Sequence, residues 1–271
     1  MRWWEESGYQ QATLGIAVRR IINDLRAALN EASRKFRLRL PENFREQIRD
    51  GFAVSKEDPN ADPERPNIIL DDDEVRLIVK TAGLIDDEQD WGGDLHRMVM
   101  ALAFSGQRYS QLTRTRVHDL NTVLKRLSVP SSNKGRGNNK KPSVEIPVPA
   151  KELVILRAAS RGRPGDEFLL LCPAYKRGEG IRWVRAGCRA WNASDITKPF
   201  AAVVKRAGVS PEITAYALRH SSIVRQLRDG LPVRLVAAQH DTSSAMIEKF
   251  YSRYVSDALG NLVAEKMTSI A

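Results

Sequence analysis

The chain has 271 residues, a net charge of +10 from 43 Lys+Arg against 33 Asp+Glu, and 42% hydrophobic residues. That length and apolar fraction exclude a disordered chain, and no stretch approaches the roughly 18 uninterrupted apolar residues that a membrane helix needs. Cys172 and Cys188 form neither a disulfide framework nor a metal-ligand spacing, and Met1-Arg2-Trp3-Trp4-Glu5-Glu6 lacks a signal peptide's apolar core, so a cytoplasmic protein is expected.

In chain order, residues 12–38 predict one long helix. Ile16, Ile21, Ile22, Leu25, Ala28, Leu29 and Ala32 recur at helical spacing, and Arg19, Arg20, Arg26, Arg34, Lys35 and Arg37 fall on the other face. Lys56 to Pro66 is rich in proline and charge and reads as a linker. The boundary is expected between Gly51 and Leu70, with 1–60 a partial helical segment plus linker and 61–271 the main domain. Asp71-Asp72-Asp73-Glu74 supplies an N-cap and first-turn acids for a helix through Leu77, Ile78 and Ala82. Leu95 to Phe104 is apolar enough for a buried helix, which Gly106 ends.

Val123 to Val129 and Val144 to Val148 predict two strands of a hairpin, since Val144, Ile146 and Val148 alternate with period two. The connection from Pro130 to Pro142 is a basic tip carrying Lys134, Arg136, Lys140 and Lys141 among glycines and asparagines. Lys151 to Arg161 predicts a helix and Phe168 to Leu171 a short buried strand. A basic loop with Trp183 and Trp191 follows, in which the tryptophans are expected to anchor the loop, with packing against sugars as the alternative. Ser194-Asp195 can then cap a helix bearing Phe200, Val203 and Val204. Helical segments near 214–228, 232–239 and 244–266 finish the chain. The expected fold class is α+β, mainly α, with a small antiparallel sheet and a basic β-hairpin.

Charge divides unevenly along this order. Residues 1–100 hold 15 basic and 20 acidic residues, and residues 101–271 hold 28 and 13. The positive excess therefore belongs to the second part. A basic domain of that size attracts a polyanion, most commonly nucleic acid. The plain alternative is a soluble surface.

One segment is unusual for an amphipathic helix. In Thr214-Ala-Tyr216-Ala-Leu-Arg219-His220, the residues Tyr216, Arg219 and His220 stand at i, i+3 and i+4 and share a face. Arginine offers a rigid donor fork that matches phosphate oxygens. A solvated polar face is the plain reading of the same spacing. Pro232 opens an apolar run that ends at Gln239-His240-Asp241, and by itself His240 reads as structural. Tyr251 falls on an apolar stripe with Ile247, Val255 and Ala258, and by itself reads as a core aromatic.

Arg219-His220, His240 and Tyr251 in this order resemble the C-terminal signature of the tyrosine recombinase (phage integrase) family. Gly106-Gln-Arg108-Tyr-Ser-Gln-Leu112 is similar to that family's first-arginine box, and the basic tip resembles its mobile β-turn, with Lys134 at the catalytic lysine. The resemblance covers residues 70–265, and the 12–38 helix looks like the last helix of the family's core-binding domain, here expected to be shortened. It implies that Tyr251 attacks the scissile phosphorus to leave a 3′-phosphotyrosyl link. It further implies that Arg108 and Arg219 grip the non-bridging oxygens, that His240 donates a further hydrogen bond, and that Lys134 protonates the leaving 5′-oxygen. No metal and no cofactor is implied.

Two positions depart from the family's boxes. Tyr216 stands where the second box begins with histidine, and Gln111 stands where glutamate follows the serine. A phenol can donate to phosphate but is a poorer base partner at neutral pH. Tyr254 competes with Tyr251 as nucleophile, and the following Ser252-Arg253 favours Tyr251; Lys140 and Lys141 compete with Lys134.

The implied partner is double-stranded DNA, with a homotetramer on DNA, a monomer or weak oligomer off it, and no membrane. Assembly would use the tail after Tyr251, interrupted at Gly260-Asn261. Arg136, Lys140, Lys141, Arg182, Arg185 and Lys198 are candidate backbone contacts, alongside Arg114, Arg116, Lys125, Arg126, Arg189 and Lys205. The alternative is a catalytically impaired integrase remnant that only binds DNA. A type IB topoisomerase would share the chemistry, but the integrase-like boxes disfavour it.

Overall fold

The structure, a computed structural model, describes residues 8–37, 39–52, 67–132, 143–178 and 183–254, with only the helical backbone over 8–20. The chain divides into two compact units, Met1–Pro66 and Asn67–Ala271. The first contains α1 (Gly8–Lys35) and α2 (Phe44–Gly51). Arg26 ties them together, donating to the Phe52 carbonyl and lying 5.6 Å over its ring, and Ile48 is buried.

The second unit begins at α3 (Asp72–Glu88), where Asp71 and Glu74 form a reciprocal capping box. The Asp71 carboxylate accepts from the Glu74 amide at 2.8 Å and the Glu74 carboxylate from the Asp71 amide at 3.0 Å, satisfying two otherwise orphaned donors. Next comes α4 (Asp94–Ser105), buried on nearly all sides through Leu95, Met98, Val99, Met100, Ala101 and Leu102. It packs against α3 and against α8 (Ala215–Arg228), which makes it the centre of the larger core. Its N-terminal amides are not left bare: the buried Asp86 carboxylate accepts from Gly93 at 2.5 Å and from His96 at 2.8 Å.

A single turn, α5 (Tyr109–Leu112), precedes a three-stranded antiparallel sheet of β1 (Leu120–Asn121), β2 (Arg126–Val129) and β3 (Val144–Pro147). Leu127 pairs with Ile146 and Val129 with Val144, so one face of the sheet closes over the core. The second strand starts at Arg126, three residues later than expected. The Asn121 side chain accepts from the Val123 and Leu124 amides and Lys125 takes φ 52, so Val123 to Lys125 form a turn.

After α6 (Ala150–Ser160), Phe168 makes only an isolated bridge to Arg116. The strand expected at 168–171 begins instead at β4 (Leu171–Arg177), paired with β5 (Trp183–Ala190). The expected basic loop is therefore half of a two-stranded ribbon. Nearly all of β5 is exposed, so no alternation of apolar residues announces it. Trp191 is buried and Trp183 exposed, so only the first serves as an anchor.

The chain continues with α7 (Thr197–Ala207), α8, α9 (Val233–Gln239) and α10 (residues 244–254). Phe200, Val203 and Val204 are buried on α7 as expected, but Asp195 does not cap it. Its carboxylate is taken by the Asn192 amide and by Arg189. A smaller core joins Ile223, Val224 and Leu227 of α8 to Val236, Ala237, Ile247, Tyr251 and Tyr254. The fold is mainly helical with small antiparallel sheets, the expected class. Among the described residues, no helix is long and apolar enough to cross a membrane.

Candidate active site

The site lies where α8 meets the start of α5, the end of α9 and the part of α10 that carries Tyr251. Gly106 closes α4 in the left-handed region at φ 61, and a Cβ there would stand 2.5 Å from His240 Nε2 and 2.6 Å from Ser222 Oγ. Only glycine lets the turn come this close to α8 and His240. The turn then delivers Arg108 as the residue before α5.

Arg219 is 3% exposed, and its guanidinium donates to the Gly106 carbonyl at 2.9 Å and the His240 carbonyl at 2.5 Å. It thereby fastens the first-arginine turn and the end of α9 to α8. Burial, reinforced by Arg108, holds its pKa below the usual guanidinium value. Two cations near each other inside a protein form a standing attraction for an anion.

Arg108 is partly exposed and donates to the Asp241 carbonyl at 3.1 Å, with the Asp241 carboxylate at 3.5 Å. That carboxylate also accepts from Gln111 Nε2 at 3.1 Å and from the Ser132 amide at 2.7 Å. Gln111 donates as well to the Pro130 carbonyl at 3.0 Å. The root of the β2–β3 connection is thus tied to the turn after His240. With an amide at position 111, the Asp241 carboxylate meets a donor rather than a second acid.

His240 is fully buried. Its Nδ1–H donates to the Val236 carbonyl at 3.0 Å, and its Nε2 faces the Ser222 hydroxyl at 3.1 Å. Burial, with the Arg219 charge added, pulls its pKa down to about 4, so the ring is neutral near pH 7. Both ring nitrogens already have protein partners.

Tyr251 is 6% exposed, and its phenol oxygen lies 2.5 Å from His220 Nδ1. Burial and, secondly, the nearby Tyr216 push its pKa up to about 12, while burial and Arg219 bring His220 down to about 4. Tyr216 is half exposed, with its ring edge-on to His220 at 4.8 Å between centroids and 6.0 Å from the Arg219 guanidinium carbon.

The structure therefore brings Arg108, Tyr216, Arg219, His240 and Tyr251 into one neighbourhood. Lys134, Arg136, Lys140, Lys141 and Arg182 lie outside the described residues, as does the tail beyond residue 254. Arg185 is held by the α3–α4 turn, donating to the carbonyls of Asp90 and Trp91, and Lys198 is exposed on the first turn of α7. Sequence reasoning put His220 on the right helix face without giving it a partner, and it missed Asp241 and Ser222. The spacing of α8 could have suggested His220, but the contact with Tyr251 closes only in three dimensions. Among the described residues, no group of three or more His, Cys, Asp or Glu side chains is placed to hold a metal ion.

No protein-family model and no curated protein matches the chain. Solved structures do. One of the Tn1549 transposon integrase in complex with circular intermediate DNA is 15% identical, with a TM-score of 0.60 over 97% of this chain and 95% of that one. XerA recombinase is 15% identical, with a TM-score of 0.53 over 92% and 84%. XerH site-specific recombinase bound to a palindromic difH substrate is 13% identical, with a TM-score of 0.52 over 90% and 71%. At such identities the likeness is one of fold: this chain has the fold of these recombinase and integrase structures, the fold that its motifs resemble.

Proposed function

We propose that the chain cuts and rejoins double-stranded DNA at specific sites, with Tyr251 as nucleophile and a 3′-phosphotyrosyl link as intermediate. The observation that carries this reading is the meeting of two guanidinium groups, Arg108 and Arg219, with the Tyr251 phenol at one junction of α5, α8 and α10. The resulting phosphotyrosyl ester conserves the energy of the broken phosphodiester, so rejoining requires no ATP. Arg108 and Arg219 would stabilise the charge that grows on the non-bridging oxygens, and Lys134 would protonate the departing 5′-oxygen. His240 would act mainly by bracing, since its carbonyl accepts from Arg219 and its ring is already bonded on both sides.

The relatives in fold that were solved on DNA support duplex DNA as the partner, as does the positive excess of residues 101–271. In this reading residues 61–271 cut, residues 1–60 contribute a helical clamp, and the active assembly on DNA is a homotetramer in the cytoplasm, associated with the nucleoid.

The test is a set of nicked duplexes tiled across the DNA that flanks the chain's own coding sequence. One or more should trap a protein–DNA adduct that survives SDS, and Tyr251→Phe should abolish that adduct while keeping DNA binding. An adduct that persists in the variant refutes the nucleophile assignment. Binding without any adduct from the wild-type chain favours the DNA-binding remnant instead.

A further inference from the structure

We propose that His220 is the base that takes the Tyr251 phenol proton as that oxygen attacks phosphorus, a role that rests on the strand-cleavage reading above. The contact is direct: Nδ1 stands 2.5 Å from the phenol oxygen, within the reach a proton transfer needs. The two groups come from α8 and α10, 31 residues apart in the chain.

The electrostatics assign the direction of the bond. Burial and the adjacent Arg219 keep the imidazole neutral near pH 7, and burial keeps the phenol protonated. The phenol therefore donates and Nδ1 accepts, which places the ring proton on Nε2. With the phenol near 12 and the imidazole near 4, the proton does not leave ahead of attack. It moves as the new bond to phosphorus forms. A phosphodiester bound by Arg108 and Arg219 carries a negative charge that offsets their repulsion of an imidazolium.

Tyr216 completes the arrangement. It occupies the position where the resembled box begins with histidine, and its ring packs edge-on against His220 at 4.8 Å, fixing the imidazole plane. In this chain the basic nitrogen stands one helical turn further along α8 than Tyr216, on the same face, and Tyr216 supplies an aromatic wall beside it.

The atoms balance without a further reactant. The bond from Tyr251 Oη to phosphorus forms and the bond from phosphorus to the 5′-oxygen breaks. The phenol proton passes to Nδ1, giving an imidazolium, while the departing oxygen takes its proton from a separate acid, for which Lys134 is the candidate. On rejoining, the 5′-hydroxyl attacks phosphorus and gives its proton back to that separate group, while the bond from phosphorus to Tyr251 Oη breaks and the imidazolium returns its proton to the departing phenolate.

The experiment compares His220→Ala and His220→Gln with the wild-type chain on whichever flanking duplex yields the adduct. Glutamine retains an acceptor oxygen but cannot take a proton, which separates proton transfer from positioning. Both variants should bind that duplex and unfold as the wild-type chain does, while adduct formation slows by about 10²-fold or more. Added imidazole should restore part of the rate to His220→Ala. A duplex with sulfur at the bridging 5′ position, whose thiolate leaves without a proton, should rescue Lys134→Ala but neither His220 variant. A His220→Gln rate within about threefold of wild type overturns the proposal and leaves strand cleavage standing. A wild-type chain that traps no Tyr251-dependent adduct overturns the cleavage reading and this role together.

Discussion

Replacing Gly106 by alanine tests how tightly the first-arginine turn is fitted onto α8. The new Cβ would stand 2.5 Å from His240 Nε2, 2.6 Å from Ser222 Oγ and 2.7 Å from Ser222 Cβ, in a backbone at φ 61. The left-handed conformation costs an alanine roughly 1–2 kcal/mol. Forcing the neighbours apart in a packed interior adds about 1–3 kcal/mol. Losing the bond between Ser222 and His240 adds roughly 0.5–1.5 kcal/mol. The total, about 2.5–6.5 kcal/mol, is a large fraction of the ~5–15 kcal/mol by which a domain is stable. Gly208 is the control, because it also has positive φ, at 70, and a Cβ there meets nothing within 4 Å. Gly208→Ala should therefore cost only the conformational part. The assay is urea unfolding of the two variants and the wild-type chain, followed by circular dichroism at pH 7. Equal midpoints for the two variants would refute the claim that close approach, rather than backbone conformation, makes position 106 a glycine. Because Arg219 donates to the Gly106 carbonyl, the same variant should also weaken DNA binding.

Other expectations follow from burial and charge. The folded His240 pKa of about 4 lies below the unfolded value of about 6.5, so its contribution is full above pH 6.5 and fades as the pH falls towards 4. Stability measured by urea should drop by about 2 kcal/mol between pH 7 and pH 5 from this residue, and an unchanged midpoint would contradict its buried neutral state. Trp191→Ala, which removes a buried ring 6.2 Å from both Trp91 and Tyr109, should cost roughly 3–5 kcal/mol. Trp183→Ala, at an exposed end of β5, should stay within about 0.5 kcal/mol of wild type, and equal losses in thermal unfolding would show that both tryptophans act as anchors.

The sequence alone determined what depends on local spacing. The capping acids at Asp71 to Glu74, the apolar run of α4, the alternation of β3 and the helices α7 to α9 are written in periods of 3.6 or 2 that a short stretch carries by itself. So are the kinds and order of the candidate functional side chains: arginine after Gly106, arginine and histidine on one face of α8, and His240 ahead of Tyr251. The positive half of the chain could likewise be located by counting.

Only the tertiary structure decided the rest. The β4–β5 ribbon has hardly any buried residues on its second strand, so it leaves no period to read. Asp195 could cap α7 by sequence but is drawn off by Arg189, a competition that depends on where a folded strand ends. Asp241 meets Arg108, Gln111 and Ser132 from more than a hundred residues away, and His220 meets Tyr251 across two helices. The same difference governs His240: a ring that its sequence context leaves beside a polar turn is fully enclosed by Gly106, Ser222 and Val236. Burial and hydrogen-bond partners are properties of packing between distant segments, and in this protein packing selects which of several polar side chains faces the phenol.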